Sequence, residues 1–170
     1  MNLKKFIRSI PDFPKKGILF RDITPLLKNK QAFKYVIDTF AKKLKNKKIE
    51  YIVAAESRGF IFGGALSYKL GCGFVPVRKP GKLPYKTNQY TYNLEYGTDT
   101  LEIHQDAFLP KSRILILDDL LATGGTALAL IKLVEEMRGK IVAVAFVIEL
   151  TDLGGRGKIK NYPVISLVQY

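Results

Sequence analysis

Residues 114–126 read Ile-Leu-Ile-Leu-Asp-Asp-Leu-Leu-Ala-Thr-Gly-Gly-Thr, and this stretch decides the interpretation of the fold. The apolar run over residues 113–117 predicts a strand that is buried in a covered parallel sheet. Apolar side chains then recur at helical spacing, which predicts a helix over residues 126–137. The residues in between form a loop that leads from the carboxyl end of a strand to the start of a helix.

This loop has the composition of a phosphate-binding site. Backbone N–H groups at a helix N-terminus attract anions, and glycines let a phosphate approach the backbone closely. Asp118 and Asp119 would repel that phosphate, but they suit the two hydroxyls of an adjoining ribose. No Lys follows the glycines and no G-x-G-x-x-G is present, so the loop is not a Walker A or dinucleotide motif. The sequence predicts a site for a sugar 5'-phosphate, although a Gly-Gly pair can also mark only a tight turn.

Strands and helices alternate along the rest of the chain. Further strands are predicted over residues 51–55, 74–77, 141–148 and 164–168, and helices over 3–10, 33–44 and a segment ending near 70. Two segments, residues 89–95 and 100–104, have the pattern of a hairpin. We therefore expect an α/β fold, a mostly parallel twisted sheet with helices on both faces, plus a β-hairpin hood.

Three polar loops follow predicted strands. They are Glu56–Gly59, Arg78–Lys82 and Asp118–Thr126. Ligands of such folds bind beyond the carboxyl ends of the strands, so we expect the three loops to share one site.

Five segments carry a family resemblance that covers nearly the whole chain. Asp118–Thr126 resembles the phosphoribosyl-diphosphate signature of the type I phosphoribosyltransferases. Four others are similar to the branch of that family that acts on adenine: Phe20–Pro25, Glu56–Phe60, Arg78–Pro84 and Leu94–Gly97. The resemblance implies the type I phosphoribosyltransferase fold in a single domain, residues 1–170. Within it, a base-binding segment spans about residues 1–27 and a flexible hairpin about residues 80–104.

The same resemblance implies a function in purine salvage. The enzyme, a pentosyltransferase, would convert adenine and 5-phosphoribosyl-1-diphosphate to AMP and pyrophosphate. It would use Mg²⁺ carried mainly by the diphosphate, with no metal ligands from the protein, and would act as a homodimer.

The resemblance also assigns residues to each part of the substrates. Ribose and 5'-phosphate would be bound by Asp118, Asp119, Ala122, Thr123, Gly124, Gly125 and Thr126. Pyrophosphate would be bound by Glu56, Ser57, Arg58, Lys82 and Arg78, with a cis peptide between the first two and Arg78 also reaching a neighbouring subunit. Adenine would be bound by Leu19, Phe20 and Arg21, with stacking by the ring and readout by the backbone. Glu95 would be the catalytic acid/base, and Tyr96 would help the hairpin close over the site.

Composition limits the cell compartment and the partners. No apolar run is long enough to span a membrane, and Cys72 is the lone cysteine, so we expect a cytoplasmic protein without disulfides. The net charge of +13 favours polyanionic ligands. Its lysines are dispersed, which indicates a solvated surface, and no specific nucleic-acid partner is expected.

Two alternatives remain open at this point. One is a transferase for another purine. The other is a regulatory protein that keeps the fold and binds nucleic acid through its positive charge. The presence of Glu95 and the lack of a helix-turn-helix appendage favour the enzyme.

Overall fold

The computed structural model of this chain describes residues 1–93 and 97–170. Its strands are β1 (Arg8–Ile10), β2 (Phe20–Asp22), β3 (Tyr51–Ala55), β4 (Gly73–Val77), β5 (Thr87–Asn93), β6 (Thr98–His104), β7 (Arg113–Leu121), β8 (Lys140–Glu149) and β9 (Val164–Gln169). Its α-helices are α1 (Thr24–Lys28), α2 (Lys30–Leu44), α3 (Arg58–Leu70), α4 (Gly125–Glu136) and α5 (Gly155–Lys158). Short 3-10 helices cover Leu3–Phe6, Lys45–Lys47 and Thr151–Leu153.

A five-stranded parallel sheet forms the centre, in the order β4-β3-β7-β8-β9. The predicted fold class is thereby confirmed. Strand β7 lies in the middle, and its apolar run Ile114–Leu117 is fully buried. Strands β4, β3 and β7 are neighbours, so the three polar loops that follow them lie at one edge of the sheet.

Helices and hairpin cover the two faces of the sheet. Ile114 and Ile116 belong to a core cluster with α4 and the β5–β6 hairpin, whereas Leu115 and Leu117 belong to a second cluster with α1, α2 and α3. Alternate residues of a strand point to opposite faces, so one apolar run fills both clusters. Helix α4 is therefore fixed directly above the strand whose loop it continues.

The predicted hairpin is present as the antiparallel pair β5–β6. Tyr92, Leu101 and Ile103 pack into the cluster that contains α4, and a backbone bridge joins Arg78 to Glu102. Residues 94–96 lie outside the described ranges, so the predictions for Glu95 and Tyr96 concern residues whose structure is not described. The flexibility expected of this hairpin stays a prediction.

Two sequence-based expectations were wrong. The predicted N-terminal helix is a 3-10 turn followed by β1, which pairs antiparallel with β2. Strand β7 continues past Leu117 to Leu121, because β8 extends alongside it to Glu149. Asp118 and Asp119 thus belong to the strand. In the described ranges no helix has the length and apolar character needed to cross a membrane.

Candidate active site

A cavity of about 230 Å³ lies at the carboxyl end of β7. Arg58 and residues 118–127 line it, so it contains the whole signature loop, defined here as residues 118–126. A larger cavity of about 530 Å³ lies between residues 1–4 and β9, but none of the residues described around it carries a carboxylate. Chemistry rather than size therefore locates the candidate site.

Two adjacent carboxylates form one wall of the smaller cavity. Asp119 is buried and its Oδ2 lies 2.8 Å from Nη2 of Arg58. Asp118 Oδ1 accepts a hydrogen bond of 2.8 Å from the backbone N–H of Asp119. Helix α3 lies close to this pair, since a Cβ at Gly59 would come within 2.9 Å of Asp118 Oδ1. The start of α3 thus packs against the acids and supplies their cation.

The surroundings of these two carboxyl groups favour their protonated, uncharged forms. Withdrawal from water, followed by the charge of Asp119, raises the pKa of Asp118 well above its usual range. Withdrawal from water also raises the pKa of Asp119, although Arg58 acts in the opposite direction. A ligand that brings hydroxyl donors or positive charge would favour the ionised form of the pair.

The signature loop owes its shape to its glycines. Gly124 precedes α4 with a φ of 82°, in the left-handed region that favours glycine. A Cβ at this position would lie 2.7 Å from the carbonyl oxygen of Gly155, so the two backbones touch. Helix α4 begins at Gly125, and the N–H groups of its first turn are available for an anion. The Thr126 hydroxyl lies 3.3 Å from that of Tyr92, which joins the loop to the hairpin.

Glu56 organises the second polar loop, the basic loop of residues 78–82. Its carboxylate accepts the Lys79 N–H at 2.7 Å and the Lys82 Nζ at 3.0 Å, and it lies 3.4 Å from Nε of Arg78. Burial alone would raise the pKa of Glu56. The hydrogen bonds from the Lys79 N–H and the Lys82 ammonium outweigh burial and hold this pKa below its usual range. The Glu56–Ser57 peptide is cis, as the resemblance implied.

Glu102 is a buried residue of this site that the sequence analysis missed. Its side chain accepts hydrogen bonds from the Gly81 N–H at 3.1 Å and from the Gln89 amide. Its backbone exchanges two hydrogen bonds with that of Arg78. The basic loop is therefore held from one side by Glu56 and from the other by Glu102.

The base-binding segment reaches the same site through Arg58. The guanidinium carbon lies 5.0 Å from the ring centre of Phe20, and Nη1 donates to the Arg21 carbonyl at 3.4 Å. The Arg21 side chain instead stacks on Tyr170, at 3.7 Å, so only its backbone faces Arg58. Leu19 is half exposed. Arg58 thus brings together the segment predicted for adenine and the acids predicted for ribose.

Comparison with known proteins agrees with this arrangement. A profile of the phosphoribosyl transferase domain matches residues 23–168. Adenine phosphoribosyltransferase from Brachyspira hyodysenteriae is 62% identical over the full length of both chains. The crystal structure of the enzyme from Thermoanaerobacter pseudethanolicus is 57% identical, with a TM-score of 0.96 over 99% of this chain and 98% of that one.

A third relative was solved with ligands. It is adenine phosphoribosyltransferase from Saccharomyces cerevisiae, complexed with adenine and D-2,5-dideoxy-2,5-imino-altritol 1,6-bisphosphate. It is 45% identical, with a TM-score of 0.92 over 97% of this chain and 96% of that one. The family profile and these full-length identities place the chain in the phosphoribosyltransferase family, among the adenine phosphoribosyltransferases.

Proposed function

We propose that this protein transfers the phosphoribosyl group of 5-phosphoribosyl-1-diphosphate to adenine, releasing AMP and pyrophosphate for purine salvage. The observation that carries the proposal is the position of Arg58. It pairs with Asp119 at 2.8 Å and lies over the Phe20 ring at 5.0 Å, so a base at Phe20 would adjoin a ribose at the acids. A transferase that joins a base to a ribose needs this proximity.

The signature loop would bind the ribose 5-phosphate part of the substrate. The first turn of α4 and the Thr126 hydroxyl offer donors to the 5'-phosphate. Asp118 and Asp119 would accept hydrogen bonds from the ribose hydroxyls. As the bond to the leaving group breaks, positive charge develops on the ribose, and the same carboxylates would stabilise it.

The basic loop would bind the departing pyrophosphate together with Arg58. Lys82 and Arg78 already lie beside Glu56, so their charges are held near the site before substrate arrives. A diphosphate carries more charge than one carboxylate and would replace Glu56 as the partner of these cations.

Adenine would be read by the backbone of the base-binding segment. Its exocyclic amine donates a hydrogen bond and its ring nitrogen accepts one, so one C=O and one N–H of residues 19–21 can distinguish it from a 6-oxo purine. Glu95 would manage the proton that moves when the new bond to ribose forms, and Tyr96 would help the hairpin exclude water.

Mg²⁺ fits the donor set of this site. Mg²⁺ commonly binds one or two carboxylates together with substrate phosphates, and Asp118 and Asp119 both line the cavity. When bound, Mg²⁺ would neutralise charge on the leaving pyrophosphate. We expect the diphosphate to be its main carrier.

A homodimer and a cytoplasmic location complete the proposal. The dimer would let Arg78 reach the partner subunit's site, whereas in the single chain Arg78 contacts its own Glu56. Light scattering would test the dimer. Restored activity on mixing an Arg78→Ala variant with an Asp118→Asn variant would test the shared site.

The main experiment measures AMP and pyrophosphate formation with Mg²⁺ and adenine, hypoxanthine or guanine. We expect activity with adenine alone. Activity with a 6-oxo purine would contradict the assignment of residues 19–21, and no activity from folded protein would contradict the proposed reaction.

Glu95→Gln should lower kcat by about a hundredfold or more, because general acid–base groups contribute that much, while substrate affinities are largely kept. An unchanged kcat would remove Glu95 from the mechanism.

A further inference from the structure

Residues 149–156, the supporting segment, contact the signature loop although the proposed reaction assigns no role to them. The closest contact is at Gly155. A Cβ at this position would lie 2.2 Å from the Ala122 carbonyl oxygen and 2.8 Å from the Gly124 nitrogen. Both distances are shorter than any real Cβ contact, so only glycine allows the loop to keep its present path.

An ion pair between the exposed Arg156 and the buried Glu149 anchors this segment to the sheet. Glu149, at the end of β8, accepts hydrogen bonds from Arg156 Nε at 2.7 Å and Nη2 at 2.5 Å. Its carboxylate also accepts from the Ser166 hydroxyl at 2.6 Å and the Gln169 amide at 3.1 Å, both on β9. Glu149 is 3% exposed, whereas the Arg156 side chain is 44% exposed, so the carboxylate is shielded from water and the guanidinium covers it from the surface side.

The anchor and the loop are joined by the backbone. Arg156 directly follows Gly155, and the N–H of Leu150 donates to the Leu121 carbonyl at 2.9 Å, three residues before Gly124. The supporting segment therefore contacts the signature loop near both of its ends, through the Leu150 N–H at one end and through Gly155 at the other. A change at Glu149 or Arg156 would move Gly155 relative to residues 122–124.

We propose that Glu149 and Arg156 are positioning residues for phosphoribosyl-diphosphate, because their ion pair holds Gly155 against the signature loop and so fixes the loop's shape. The inference rests on the proposed function, in which this loop binds the 5'-phosphate. Backbone donors bind a phosphate well only when they are held within about 0.5 Å of the productive geometry. The supporting segment supplies that restraint for the 5'-phosphate end of the substrate and not for the pyrophosphate end.

The test compares Gly155→Ala with Gly157→Ala. Both glycines lie in α5, but a Cβ at Gly157 would meet nothing within 4 Å, which makes it the matched control. Calorimetry with ribose 5-phosphate and, separately, with inorganic pyrophosphate reports on the two ends of the site. We expect Gly155→Ala to weaken ribose 5-phosphate at least about tenfold, while pyrophosphate affinity and the KM for adenine stay near wild type. Gly157→Ala should match the wild type for both ligands.

A second pair of variants covers the case in which Gly155→Ala does not fold. Arg156→Gln removes the charge, whereas Arg156→Lys keeps it without the two-pronged contact. Ribose 5-phosphate binding should weaken by roughly fivefold in the first and recover in part in the second. Ribose 5-phosphate affinity equal to wild type in Gly155→Ala and Arg156→Gln, or an equal loss for pyrophosphate, would overturn the inference. Failure of the wild type to bind either ligand would instead overturn the proposed function.

Discussion

The signature loop and the basic loop would hold the two phosphate ends of one substrate, yet they are built differently. The signature loop is shaped by backbone contact, with Gly124 and Gly155 pressed together and its anion donors at the start of α4. The basic loop is held by side chains, since Glu56 and Glu102 accept hydrogen bonds from its backbone and cations. Its own glycine, Gly81, has nothing within 4 Å of a built Cβ. One end of the site therefore depends on shape and the other on charge.

The largest expected effect distinguishes Gly124 of the signature loop from Gly81 of the basic loop, both of which have a positive φ. Gly124→Ala should weaken ribose 5-phosphate by about a hundredfold, because the new methyl would collide with the Gly155 carbonyl and displace the loop. Gly81 has a similar φ of 76°, but a Cβ there would meet open space. Gly81→Ala should therefore lower the free energy of unfolding by only about 1 kcal/mol, through backbone strain. Calorimetry on both variants measures the difference. Equal losses would show that backbone conformation, rather than the contact, shapes the signature loop.

The next effect concerns the stability of the support beneath the signature loop. Hydrogen bonds from Arg156 first, then Ser166 and Gln169, lower the pKa of Glu149 from 4.5 to about 2. Glu149→Gln should therefore reduce the free energy of unfolding at pH 7 by about 2 kcal/mol, as expected for buried charged hydrogen bonds. A group whose pKa is lowered on folding stabilises the protein at pH values above its unfolded pKa. The difference in unfolding free energy between wild type and variant should therefore shrink as the pH falls from 4.5 towards 2.

Chemical unfolding at several pH values would measure that difference. The exposed Glu136→Gln is the matched control, since it removes a carboxylate from the end of α4 without touching the network. A deficit in Glu149→Gln that stays constant down to pH 3 would contradict the role of the charge.

A smaller effect is expected at the basic loop. Lys82→Gln should weaken pyrophosphate by about tenfold and leave ribose 5-phosphate unaffected, because one of the cations assigned to that end is lost. The Lys82 side chain is 48% exposed, so the wild-type affinity for pyrophosphate should also fall as salt is added. Lys42→Gln, an exposed change in α2, controls for the overall charge. Ribose 5-phosphate binding that falls as far as pyrophosphate binding would mean the two ends are not separate.

The smallest effect has the opposite sign. Asp118→Asn should raise the free energy of unfolding of the ligand-free protein by about 1 kcal/mol at neutral pH, although it weakens phosphoribosyl-diphosphate binding. Burial raises the pKa of Asp118 above its unfolded value of 3.8, so the wild type loses stability as the pH rises from 3.8 towards the raised pKa. The advantage of the variant should therefore disappear as the pH falls towards 3.8, where the wild-type carboxyl is protonated. Thermal unfolding across this range is the measurement. A variant less stable than wild type at pH 7 would show that the acid supports the fold.

The sequence predicted those parts of the fold that depend on local pattern. Buried strands and the amphipathic helix α2 follow from their apolar spacing, and the α/β alternation follows from their order. The N-terminal segment failed because Leu3, Phe6, Ile7 and Ile10 match helical spacing over a stretch too short to decide. The pairing of β1 with β2 joins residues ten to fourteen positions apart and has no local signal.

The site was predicted by motif where loops follow strands, and missed where a single acid acts through distant partners. Glu102 alternates with the buried residues Leu101 and Ile103, which predicts an exposed side chain, yet the basic loop covers it. Glu149 directly follows the predicted strand 141–148, at the position where ligand-binding residues gather, and that signal could have found it. Its partners on α5 and β9 become visible only when the chain is folded.

The contact between Gly124 and Gly155 also has a consequence for how this protein can change over time. Neither position can accept a larger residue while the other stays in place, so the two glycines behave as one inherited unit although 31 positions separate them. In a library randomised at positions 124, 155 and 157 and selected for growth on adenine, the surviving clones should keep glycine at positions 124 and 155. Position 157 should accept other residues, so α5 would contain one position that must stay glycine and one that is free to change.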